Sequence, residues 1–238
     1  MHDQVAIVDS SVLHSIGGGG VGVALSGNRF SMLGNVVDDT MSTEHVVRVF
    51  YLNKGVISNN TLSRQAATKS VIKMHGPTWC SPGSPTGTNG RCTITSTDYL
   101  TAVPPYGVGA SGYTELVVVS DNKLTSADGW TFTIRPQNAI SDERIRNIIV
   151  ERNWFVAGST SSSALVINAA EVTARNNICD ASNGNSHKCF LVGTNTNVEP
   201  PATDVRIYNN TFYSASGGDF IGVDIRAPAT NTTVYNNL

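Results

Sequence analysis

Arg48, Lys73 and Arg135 each stand thirteen residues after an asparagine, namely Asn35, Asn60 and Asn122. Their local segments read VVRVF, VIKMHG and WTFTIRP. In an extended chain successive side chains face opposite ways. Val47 and Val49 then turn inward and Arg48 outward. Ile72 and Met74 turn inward, and Lys73 and His75 outward. Trp130, Phe132 and Ile134 turn inward, and Thr131, Thr133 and Arg135 outward. Side by side, the three strands would stack three cations at about 5 Å spacing. Like charges directly opposed across strands destabilise a sheet, so such a ladder predicts an anion lodged against it. Glu44 and His45 lie just upstream of Arg48, with Asp38 and Asp39 in the preceding turn, and they offer partial relief. The expected ligand is a polyanion in a groove. The alternative is a solvated face on which basic residues align without a ligand.

The elements that would position these residues come from a repeat. Short alternating segments ending in an Asn corner recur along the chain, as in GVISNNTL from Gly55, EVTARNNIC from Glu171, VRIYNNTF from Val205 and TTVYNNL from Thr232. The corner positions are Ser10, Asn35, Asn60, Asn122, Asn153, Asn177, Asn210 and Asn237, with gaps of 25, 25, 62, 31, 24, 33 and 27. A second apolar segment follows each of the first seven corners by roughly a dozen residues. A period near 25 made of segments too short to fold alone predicts stacked units sharing one core. Strands of successive coils then pair in parallel, and the corner amides bond to one another in a ladder. Asn also tolerates the left-handed backbone of a tight corner. The pattern resembles the right-handed parallel β-helix proteins. The expectation is an all-β solenoid of about eight coils over residues 1–238, a single domain with one loop insertion at 77–112.

The stretch EHVVRVFYLNKGVISNNTLSRQAATKSVIKMHG carries a further resemblance, to the catalytic coils of β-helical polysaccharide lyases of the alginate lyase and chondroitinase B type. Those have acidic residues on one coil, then a Lys, then NNTF, then a strand ending Arg-His-Gly. Here the corner is Asn59 to Leu62 and the strand ends Met74-His75-Gly76, with the basic residue one place earlier at Lys73. The resemblance implies β-elimination on a uronate polymer. That chemistry needs the carboxylate neutralised, a base near the sugar C5, and an acid for the leaving oxygen. Lys73, among other cations, suits the base. Arg48 would neutralise the carboxylate and His75 would protonate the leaving group. Arg135 and His45 would hold the polymer. The resemblance also implies calcium, with Glu44, Asp38 and Asp39 as the acidic residues available for it. Two alternatives stay open. One is an inverting hydrolase of the polygalacturonase type, using Asp38-Asp39. The other is a glycan-binding tailspike or adhesin without turnover.

Composition narrows the class. Charged residues are 14%, well under the usual quarter, and the net charge is −2. Neither nucleic acid nor an anionic membrane is attracted by such a balance, and no apolar run is long enough to span a bilayer. The insertion at 77–112 is rich in Pro, Gly and aromatics, and Trp79, Tyr99 and Tyr106 are candidates for stacking on sugar there. The cysteines form two local pairs, Cys80 with Cys92 and Cys179 with Cys189, each bracketing a Gly/Ser/Asn loop. That pairing predicts disulfides and an extracellular or periplasmic setting. The chain starts and stops inside repeats without recognisable caps. The expectation is that a longer chain, a second copy or a partner chain covers the ends. The Gly-rich run at 15–23 reads as a bent corner, and His14 and His187 as surface loop residues.

Overall fold

The structure, a computed structural model, describes residues 4–15, 21–40, 44–76, 113–136, 145–158, 163–183, 186–194, 201–215 and 219–238. These are all-β, with no helix among the described residues. Twenty strands among the described residues pair in parallel. One face holds β1 (Gln4–Val8), the second halves of β3 (Val23–Leu33) and β5 (Val47–Ser58), then β8 (Thr114–Ser120), β11 (Ile145–Glu151), β14 (Ala170–Arg175), β17 (Arg206–Tyr208) and β20 (Thr233–Tyr235). A second face holds β2 (Ser11–Ser15), β4 (Val36–Thr40), β6 (Thr61–Ser63), β9 (Lys123–Thr125), β12 (Trp154–Val156), β15 (Ile178–Asp180) and β18 (Thr211–Tyr213). The third runs from the first halves of β3 and β5 through β7 (Lys69–Met74), β10 (Gly129–Ile134), β13 (Leu165–Ile167) and β16 (Ser186–Val192) to β19 (Asp219–Ile225). β5 joins the first and third faces. Its start pairs with β7 and its end with β8. This is a parallel solenoid architecture.

The core follows from alternation. In-register inward columns such as Leu62, Leu124, Phe155 and Cys179, or Ile72, Phe132, Leu165 and Phe190, are fully buried. Phe190 on the third face meets Phe155 and Phe212 of the second edge-on, at 5.9 and 5.0 Å. Between these two rings sits the disulfide Cys179–Cys189, with Cα atoms 5.9 Å apart, tying β15 to β16. Both sulfurs belong to the buried core. Cys80 and Cys92 lie outside the described residues.

The corner asparagines form the expected ladder. Asn60 illustrates the unit. Its Nδ2 donates to Ser58 O in its own coil (3.0 Å), Met32 O in the coil before (2.9 Å) and Asn122 Oδ1 in the coil after (2.9 Å). Its backbone N–H also donates to Asn122 Oδ1, at 2.9 Å. The same arrangement runs through Asn35, Asn122, Asn153, Asn177 and Asn210 to Asn237. The amides of the buried ladder asparagines are thereby satisfied. The direct Asn60–Asn122 contact makes the 62-residue gap one coil step, with residues 77–112 inserted within it. The left-handed backbone falls on the residue before each ladder position, a correction to the expectation. Asp9, Gly34, Asn59, Asp121, Arg152, Asn176, Asn209 and Asn236 all have φ between 48 and 69°. Ladder and turn are separate tasks given to adjacent residues. His14 and His187 lie in β2 and β16, not in loops, because the strands there run longer than the apolar pattern marks.

Candidate functional site

β5 and β7 pair over Val47↔Ile72, Arg48↔Lys73 and Val49↔Met74, so Arg48 and Lys73 are neighbours on adjacent coils, as the spacing predicts. The third rung differs. Thr133, not Arg135, pairs with Lys73. The connection from β9 to β10 spans three residues where that from β6 to β7 spans five. The register therefore slips by two, and Arg135 falls beside His75, its N–H donating to Met74 O at 3.1 Å. The expected ladder of three cations becomes a pair, with Arg135 one step away.

The expected open face is also different. Arg48, Lys73 and His75 are 5, 9 and 1% exposed, and Thr131 and Thr133 are buried with them. β7 is buried from Ser70 to Met74. Charges so placed need partners. Arg48 donates from Nε to His75 Nε2 at 3.0 Å and from Nη1 to Glu44 Oε2 at 3.2 Å. Lys69 Nζ lies 3.8 Å from Glu44 Oε1. Lys73 Nζ donates to Pro136 O at 3.4 Å. Since His75 Nε2 accepts a hydrogen bond, the proton of the neutral ring sits on Nδ1. His45 is fixed by the backbone, its Nδ1 accepting from Ser70 N–H at 2.8 Å. Burial first, then the charges of Arg48, Lys73 and Lys69, lower its pKa to about 3. His45 is thus neutral at ordinary pH and holds two coils in register.

Glu44 and Asp38 do not converge. Glu44 is committed to Arg48 and Lys69 on the third face. Asp38, on β4 of the second face with Asp39 next to it, takes a two-pronged ion pair from Arg64 at 2.8 and 2.5 Å and a hydrogen bond from Ser63 Oγ. Among the described residues no three His, Cys, Asp or Glu side chains gather to hold a metal. Glu44 and Asp38 do not share a calcium site, and the side chain of Asp39 lies outside those described. Trp79, Tyr99 and Tyr106 lie outside the described residues.

Sequence reasoning missed the ion pairs on the outer side of the first face. Glu115 accepts from Arg146 at 2.7 Å, and Glu151 from Arg175 at 2.7 Å. Arg152 bridges Asp121 at 2.8 Å and Glu151 at 2.7 Å. Their separations of 31, 24 and 31 residues reproduce the corner gaps. Applying the register to carboxylates as well as to cations would have found them. No family model, curated protein or solved structure matches this chain.

Proposed function

We propose that the protein is a carbohydrate-active β-helix, wound right-handed in about eight coils, that cleaves a uronate-containing polysaccharide by β-elimination outside the cytoplasm. The observation that carries this reading is the Arg48–His75–Glu44 network with Lys73 in register beside it. The Lys73 amine, once it has given up its own proton to solvent, takes the C5 proton. The electron pair forms the C4–C5 double bond, the C4–O bond breaks, and the leaving oxygen takes the Nδ1 proton of His75. The arginine bond at Nε2 leaves that proton on Nδ1. Arg48 and Arg135 stabilise the carboxylate as charge spreads onto it. No metal enters the scheme. The Cys179–Cys189 disulfide supports an oxidising compartment. The depth of Lys73 and His75 favours a second reading, a glycan-binding solenoid without turnover.

The test is a screen of alginate, pectate, hyaluronan and chondroitin sulfate for the absorbance of an unsaturated uronate. Wild type is expected to turn over at least one polymer, and Lys73→Ala to lose about a hundredfold or more of that rate with its thermal transition retained. Wild-type turnover by Lys73→Ala on the cleaved polymer removes the catalytic assignment. Binding without product on every polymer selects the second reading.

A further inference from the structure

On the outer side of the first face, Arg29 and Lys54 are paired in register on adjacent coils, Arg29↔Lys54, with Gln4 opposite Arg29 on the coil before. Both cations are exposed. They border a cavity of about 550 Å³. Two residues further along these strands the outward positions are Ala6, Ser31 and Val56, and the short side chains of the first two leave a depression beside the charged tips, walled by Val56. Between the two outward columns, Gly55 has no room for a side chain, since a Cβ there would meet Leu52 Cδ2 at 2.6 Å. The strand therefore lies close over the core at that point.

The charge pattern is the unusual feature. Further along the same face Arg146, Arg152 and Arg175 are each answered by a carboxylate at 2.7 to 2.8 Å. Arg29 and Lys54 have no carboxylate within ion-pair distance among the described residues. Two like charges about one strand spacing apart repel, and the sheet gains nothing from them in isolation. An anion set between them relieves the repulsion, and a guanidinium beside an ammonium offers several donors to its oxygens. We infer that this groove binds the carboxylate or sulfate of an acidic glycan, as a holding site separate from the Arg48–Lys73–His75 cluster. Polymer class rests on the reading above, but binding here requires no turnover. Successive coils rise by about 5 Å, close to the length of one sugar unit, so a chain along the solenoid axis presents successive anionic groups to Arg29 and Lys54 in turn.

The experiment is affinity electrophoresis of the full chain through gels containing alginate, chondroitin sulfate, dextran sulfate or neutral dextran, at two salt concentrations. Wild type and the double variant Arg29→Ser/Lys54→Ser are compared, with Lys73→Ala as the control for the other site. Both substituted side chains are exposed, and an unchanged thermal transition checks folding. The expected result is retardation by the polyanions, weakened about tenfold or more in the double variant, and retained in Lys73→Ala. Retardation of the double variant equal to wild type overturns the site, whatever the turnover assay gives. So does dextran sulfate retardation that depends on Arg29 and Lys54 without any retardation by the two natural glycans, since the groove would then be a general polyanion surface. Retained binding without unsaturated product overturns only the elimination reading.

Discussion

His45 shows how much of the cluster is scaffold. Its ring accepts a backbone N–H and is surrounded by Arg48, Lys69 and Lys73, so the folded protein keeps it neutral with a pKa near 3 against an ordinary 6.5. An unfolded chain binds a proton below pH 6.5 that the native state refuses. The contribution of His45 is therefore complete above that pH and is lost as pH falls toward 3, by up to about 1.4 kcal/mol per unit. Asp121, Glu151 and Asp224, whose ion-pair partners lower their pKa, add a loss of the same sign at more acid pH. Urea midpoints are expected to decline between pH 6.5 and about 5, and the decline is expected to flatten in His45→Gln. A variant that declines in parallel with wild type would show that His45 titrates normally. Alternation in VVRVF and VIKMHG made the Arg48–Lys73 contact legible. The burial of that contact was not legible, because a period of two says which way a side chain faces and nothing about what lies over it.

At the scale of the element, the corner ladder organises the coils. Asn122 is 2% exposed and joins Asn60 to Asn153. Asn122→Ala strips the acceptor from the buried backbone N–H of Asn60, one of three acceptors from its Nδ2, and the side-chain donor to Ile57 O. The expected loss is about 3 kcal/mol, read from urea unfolding, with the loss at Asn237 smaller, because that amide is only half-buried and water can replace the acceptor it gives Asn210. Equal loss at both positions would contradict a ladder whose interior rungs serve two coils. The ladder was legible from the recurring corner asparagines and their spacing. The two-residue slip that moved Arg135 away from Lys73 was not. It arises from connection length between β9 and β10, where Ser126 and Gln65 bond across coils at 2.6 Å and Gly129 has φ of 116°. Counting from a corner works only while successive connections keep one length.

For the molecule as a whole, one continuous core runs through three parallel faces, crossed by the Cys179–Cys189 bridge. Regular stacking places residues 25 apart in contact, which is why a repeat read from sequence carried the fold so far. The two proposed sites lie in departures from the repeat: a buried cationic network on the third face and, on the first, a pair of cations with no carboxylate at ion-pair distance among the described residues. The elimination account is tested most directly by the mass of the products released from a uronate polymer digested in heavy-oxygen water. Elimination predicts oligosaccharides lighter by one water than hydrolysis products, with no heavy oxygen incorporated. Products carrying one heavy oxygen each would contradict the account and make the protein a hydrolase.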